Sequence, residues 1–210
     1  VDGHTGSASF KWLVNATNIL LKGKANALVT APISKIAWHK AGHKFAGQTE
    51  LLGKLTNKKT SMLFTAISPY NGWRFNTLLA TTHIPLNKIN DTLTKELIRH
   101  KLDTLLNFCL KFKEKPSLQI AGLNPHAGEE GKIGIEEQNL LSPILNEWKL
   151  DNPTVNISGP IPPDTCWISS INAWNGPSSD NNAPDGILAL YHDQGLIPVK
   201  LIAFDEAVNT

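Results

Sequence analysis

The sequence predicts an α/β fold built on a largely parallel sheet, and three observations carry that expectation. Apolar runs of strand length alternate with longer stretches whose apolar residues recur at helical spacing, so the order is largely β-α-β-α. Three of the strand-like runs end in a histidine: LLATTH at His83, IAGLNPH at His126 and GILALYH at His192. Open α/β sheets bind ligands outside the carboxyl ends of their strands, and three neutral imidazoles at one such rim predict a divalent metal site. With 210 residues, 41% of them hydrophobic and 18% charged, the chain can bury one sizeable core or two small lobes.

In chain order, SASFKWLVNATNILLKGKA places Phe10, Leu13, Val14, Thr17, Leu20 and Leu21 at helical spacing, and ANALVTAP reads as a short buried strand. Pro32 suits the first turn of a helix that runs through Trp38 and stops at Gly42. Gln48, Thr49 and Glu50 open another short helix. SMLFTAI and WRFNTLLATT pair as a hairpin, and residues 87–112 form the longest helical pattern, with Leu93, Leu97, Leu102, Leu105 and Leu106 on its apolar side. SLQIAGL is a strand, GEEGKIG leads into a helix over 135–148, VNISG and GILALYH are strands, and VKLIAF is the last strand. Residues 169–184, rich in Ser, Asn and Pro, read as an exposed loop, although Trp174 within it calls for apolar contact. No internal repeat is visible.

A formal charge of +2 gives little electrostatic reason to expect nucleic acid, and the apolar runs are far short of the roughly 20 residues of a membrane span. Neither partner is expected. Cys109 and Cys166 show neither C-x-x-C spacing nor a disulfide framework, which fits a reducing cytoplasm. The chain opens on Val1, carries its only methionine at Met62 and stops at Thr210, so it reads as a piece of a longer protein.

The motifs then carry a specific resemblance. DGHTG, ALVTAPISK, AGHKFAGQTELL, ATTHIPL, AGLNPHAGEEGKIGIEE, GPIPPDT and YHDQGLIPVK with the following VN resemble, in consistent order from Asp2 to Thr210, the PdxA family of 4-hydroxythreonine-4-phosphate dehydrogenases. NPHAGE and YHDQG are the most specific pieces, because each sets a histidine in a fixed polar and glycine context. The resemblance implies an NAD-dependent, divalent-metal enzyme of vitamin B6 synthesis, with the isocitrate/isopropylmalate dehydrogenase-like mixed sheet flanked by helices. It also implies a homodimer with its active site at the subunit interface. The 210 residues would be one partial domain, folding as two lobes in the intact protein. The family's glycine-rich N-terminal strand, its last sheet-and-helix portion and a substrate arginine after the VN motif are absent, so the chain as it stands could be catalytically silent.

Carried over residue by residue, the family's metal ligands fall on His83, His126 and His192, the three that strand-end position singles out independently. Asp164 and Asp193 match acidic positions near the metal, where a carboxylate fixes a histidine tautomer, or they are a turn aspartate and a helix cap. Substrate contacts fall on Gln48, Thr49, Lys200 and Asn209. A helix start at Thr49 suits a phosphate and Lys200 supplies a full charge, serving the phosphate or assisting proton transfer. With Asp193 it is a candidate catalytic residue. Gln48 departs from the family, whose motif here has histidine; glutamine keeps a donor and an acceptor but cannot become cationic.

The chemistry expected is metal-assisted oxidation of 4-(phosphooxy)-L-threonine by NAD, then decarboxylation to 3-amino-2-oxopropyl phosphate. Gln48 keeps alive a dehydrogenase for another phosphorylated hydroxy acid such as 4-phosphoerythronate. A three-histidine metallohydrolase or lyase without NAD is the reading from another class. No G-x-G-x-x-G follows the first strand, so NAD rests on the resemblance alone and its contact residues are unassigned. Gly128, Gly131 and Gly134 before a helix suit an anion cradle or simply a tight turn. Nitrogen ligands with possible carboxylates suit Zn²⁺, Co²⁺ or Mn²⁺, with Mg²⁺ unusual on nitrogen alone.

Overall fold

The computed structural model describes residues 2–177 and 183–210, and the chain divides into two compact units, Val1–Thr60 and Ser61–Thr210. The first unit is helical: α1 Gly3–Leu21, α2 Lys35–Lys40 and α3 Gln48–Thr56. Asp2 caps α1 by accepting from the Thr5 N–H (2.9 Å), and Ser34 caps α2 in the same way from Ala37. Helix α2 therefore begins three residues beyond Pro32. The small core of this unit is Leu13, Trp38 and Leu51, with Phe10 and Phe45 against it; Trp38 Nε1 donates to Ser9 Oγ (2.9 Å).

The buried strand expected at ANALVTAP does not form; residues 27–34 carry no regular structure and Val29 is 95% exposed. A strand needs a neighbour to take its N–H and C=O groups, and the described residues of this unit are helices and connections only.

In the second unit six strands form one mixed sheet among the described residues, in the order β4-β3-β5-β2-β1-β6. They are β1 Met62–Ile67, β2 Arg74–Leu79, β3 Ser117–Ala121, β4 Asn156–Ile161, β5 Gly186–Ala189 and β6 Val208–Asn209. β4, β3, β5 and β2 run parallel, whereas β1 pairs antiparallel with both β2 and β6. Among the described residues its α-helices are α4 Ile89–Thr92, α5 Lys95–Cys109, α6 Ser142–Asp151, α7 Ile168–Asn175 and α8 His192–Ala203. Successive strand residues alternate between two cores, the signature of a sheet covered on both faces. Leu78, Ile120 and Leu188 pack with Ile98, Leu102 and Trp148 of α5 and α6; Leu79, Ala121 and Ala189 pack with Trp174 and Val199 of α7 and α8.

Three further expectations are corrected. VKLIAF is not a strand but the second half of α8. Val199 and Ala203 are buried while Leu201 is 81% exposed, a burial spaced by four rather than alternating. The pattern over 87–112 breaks at Leu93, whose ψ of 98° leaves the helical region, and α5 restarts behind Thr94, which accepts from the Leu97 N–H. The exposed loop expected over 169–184 begins as helix α7, because Ser170, Ala173 and Trp174 turn inward at helical spacing. Ser68 and Asn71 donate to its last carbonyls at Trp174, Ala173 and Gly176. Residues 178–182 of that loop lie outside the described residues.

Candidate active site at the carboxyl ends of the strands

Neighbouring parallel strands β3, β5 and β2 end on the same rim, and each is followed within a few residues by one of the histidines: His126, His192 and His83 respectively. The His83 and His192 rings meet with centroids 5.3 Å apart and planes inclined at 43°. They line a cavity of about 330 Å³ with Thr82, Tyr191 and Asp193. His192 is the first residue of α8, and its Nδ1 lies 2.7 Å from the Asp193 carboxylate. A neutral imidazole donating Nδ1–H there keeps its Nε2 lone pair for a ligand.

His126 is exposed and is not gathered with this pair: among the described residues no three His, Cys, Asp or Glu side chains form a group that would hold a metal ion. It begins a run of six consecutive residues, 126–131, with positive φ, four of them not glycine. Each L-residue there costs roughly 1–2 kcal/mol, so the turn persists only because its surroundings hold it. Glu137, buried at 3% exposure, does so: one carboxylate oxygen accepts from the Leu123 and Asn124 N–H groups, both at 2.7 Å, and the other from Asn124 Nδ2 at 2.9 Å. Gly128 has φ +82°, and a Cβ on it would come within 2.8 Å of that carboxylate and 2.5 Å of the Gly134 carbonyl. The glycines of this loop thus serve close packing. Asn124 also donates to Glu136, which holds that carboxyl below the ordinary range.

The remaining predicted site residues divide between the units. Gln48 is the first residue of α3; its Nε2 donates to the Ala31 carbonyl (2.8 Å), while its Oε1 is enclosed without a hydrogen-bond partner. Thr49 follows, exposed. In the second unit Lys200 is exposed on α8, about 12 Å of helix rise beyond His192. Asn209 lies exposed in edge strand β6, opposite Phe64. Asp164 is exposed on the turn after β4.

The family profile described as pyridoxal phosphate biosynthetic protein PdxA matches residues 1–210. The chain belongs to the PdxA family. A PdxA relative from Synechococcus sp. (strain RCC307), a 4-hydroxythreonine-4-phosphate dehydrogenase, is 53% identical over all of this chain and 64% of its own length. A D-threonate 4-phosphate dehydrogenase from Pectobacterium atrosepticum is 34% identical, over 100% of this chain and 60% of its own. The crystal structure of 4-hydroxythreonine-4-phosphate dehydrogenase from Klebsiella pneumoniae superposes with a TM-score of 0.80 at 33% identity, covering 97% of this chain and 57% of that one. The chain therefore spans about three fifths of the length of the relatives it matches, and the α/β architecture of a mixed sheet flanked by helices is the PdxA fold.

Reading from sequence missed Glu137, Gln194 and Thr81, whose side chains organise the strand ends. The signal lay within reach, since Gln194 stands in YHDQG and Glu137 in GIEE.

Proposed function

We infer that this chain is the greater part of a dehydrogenase that oxidises 4-(phosphooxy)-L-threonine with NAD and releases carbon dioxide to give 3-amino-2-oxopropyl phosphate in pyridoxal phosphate synthesis. The single observation that carries the reading is the His83–His192 pair beside Asp193, at the strand ends of a PdxA-family sheet. Two imidazoles with one ring nitrogen steadied by a carboxylate fit a borderline divalent cation, Zn²⁺, Co²⁺ or Mn²⁺ ahead of Mg²⁺. His83 and His192 would hold it with His126, from the same or a partner chain, as third ligand. When bound, the cation makes a substrate hydroxyl more acidic and stabilises the negative charge left by departing carbon dioxide, and the nicotinamide takes the hydride.

The chain's own residues divide the remaining work. Asp193 orients His192, while Lys200, placed two turns down α8, suits the far, phosphate end of an extended substrate better than proton transfer at the imidazoles. Gln48, Thr49 and Asn209 are assigned to substrate binding on the family motifs alone, each within its own unit, and Thr49 would act through the N–H groups of the α3 start. The intact protein is read as a cytoplasmic homodimer sharing its sites, on its family and on two cysteines without a disulfide framework.

A second reading, a dehydrogenase of another phosphorylated hydroxy acid such as 4-phosphoerythronate, is supported by the 34% identical relative from Pectobacterium atrosepticum, a D-threonate 4-phosphate dehydrogenase, and by Gln48, an amide where the family motif has histidine. The test is NADH absorbance from the complete open reading frame with both substrates and a metal panel. Turnover of phosphohydroxythreonine, lost in His83→Ala and His126→Ala with folding retained, is expected. Turnover without NADH would transfer the site to a metallohydrolase or lyase, and preference for the erythronate would move the substrate.

A further inference from the structure

We propose that Gln194 is a positioning residue that ties the three histidine-bearing loops into one unit, through hydrogen bonds made by both ends of its buried amide. The proposal rests on the reading of His83, His126 and His192 as ligands. Paired residues of β3 and β5 end at Ile120 opposite Leu188, and beyond that point the strands part company: the Gly122 N–H turns to the Ile161 carbonyl of β4. Gln194, 7% exposed, closes the gap. Its Oε1 accepts from the Leu190 N–H at 2.6 Å, and its Nε2 donates to the Gly122 carbonyl at 2.7 Å. On the other side of β5, the Thr81 hydroxyl and the Thr81 N–H both donate to the Leu190 carbonyl, at 2.7 and 3.2 Å.

A buried chain Thr81–Leu190–Gln194–Gly122 thus crosses the ends of β2, β5 and β3. His83 follows Thr81 by two residues, His192 follows Leu190 by two, and His126 follows Gly122 by four. Only a side chain with a donor and an acceptor on one planar group can serve both contacts; an ionised Glu offers acceptors alone and Met neither. A plain helix-capping role explains half of the geometry. Gln194 is the third residue of α8, and a glutamine there reaching back to an N–H ahead of the helix is an ordinary cap. The bond to Gly122, on another strand, has no part in capping.

That difference supplies the test, made on the complete protein with Gln194→Glu, in alkaline buffer that keeps its carboxyl ionised, and with Gln194→Met. Gln194→Glu keeps the cap and turns the Gly122 contact into oxygen against oxygen, while Gln194→Met, of similar size, loses both bonds. In both variants amide hydrogen exchange over 123–127 is expected to accelerate at least tenfold, with β2 and β5 still protected, and Zn²⁺ affinity to fall about 10–100-fold. The fall in Gln194→Glu would run against the added negative charge, which alone would tighten cation binding. Exchange unchanged over 123–127 in both variants overturns the proposal, as does a uniform rise throughout residues 61–210, which would mark a common core residue. Should His83→Ala and His192→Ala leave Zn²⁺ affinity untouched, the ligand reading fails instead, and the exchange pattern still decides whether Gln194 ties the loops.

Discussion

The two units solve the same burial problem with different means. Residues 61–210 spread their apolar side chains over both faces of a sheet, so Trp148 lies fully buried among Ile98, Leu102, Leu141 and Leu145. The described residues of 1–60 form no sheet, and the core around Trp38, equally buried, has Leu13 and Leu51 as its buried apolar partners. Strand pairing satisfies backbone polar groups in the middle of a core, so a sheet can be covered on both sides; three helices can bury only the stripes they turn toward each other. The first unit accordingly leaves Trp12 and Val29 largely in solvent.

Trp38→Ala is the harshest way to break this comparison. Removing a buried Trp costs about 3–5 kcal/mol, and here it should also release the Ser9 hydrogen bond, so α1, α2 and α3 lose exchange protection while β2, β3 and β5 keep theirs. Simultaneous loss in both units would show that they are one cooperative body. Gly195→Ala tests the tightness of the second unit: a Cβ there would sit 2.4 Å from Leu79 Cδ2 and 3.0 Å from Ala189 Cβ. Thermal denaturation should report about 1–3 kcal/mol of overpacking, and a neutral result would mean that α8 can slide on the sheet.

Lys101 probes the same core electrostatically. It is 6% exposed with its Nζ on Ser61 Oγ at 2.9 Å, and burial pushes its pKa below 10.5. Between the lowered folded value and 10.5 the unfolded chain binds more protons, so stability rises with pH across that window, and below it the full cost of the buried ammonium applies. Lys101→Met should therefore flatten the rise in urea midpoints from about pH 7 to about pH 10 without lowering the midpoint at pH 7. A midpoint that drops at pH 7 would assign Lys101 a stabilising partner. Cys109 and Cys166 are buried thiols pushed up to about 12, so iodoacetamide at mildly alkaline pH should label neither until the second unit unfolds. The smallest effect is expected of Val29→Asp, within about 0.5 kcal/mol in this chain. A clearly larger loss in the intact protein would show that the longer polypeptide covers that position.

Local signals were enough for elements whose neighbours in sequence are also their neighbours in space. The hairpin of β1 and β2, the helix start at Gln48, and the histidines closing β2, β3 and β5 could all be read directly, because turns, helix starts and strand ends are set within a few residues. The motifs carried family and fold as well. Three readings needed the tertiary structure. ANALVTAP has strand composition but finds no partner among the described residues, and VKLIAF has strand composition but serves as the helix that covers β2 and β5. A polar stretch became α7 because Trp174 could be buried and its carbonyls met Ser68 and Asn71 from the turn between β1 and β2. Composition records what a segment can do, and long-range hydrogen bonds and packing choose among those possibilities.

The sequence by itself determined which side chains stand at the strand ends, and hence that imidazoles and a carboxylate gather on that rim. Only the tertiary structure decided that His83 and His192 meet while His126 stands apart on a left-handed turn, and that Glu137 and Gln194 hold these loops. The reason is physical: a residue's place along a strand follows from short-range periodicity, whereas the distance between two strand ends follows from buried hydrogen bonds between residues tens of positions apart.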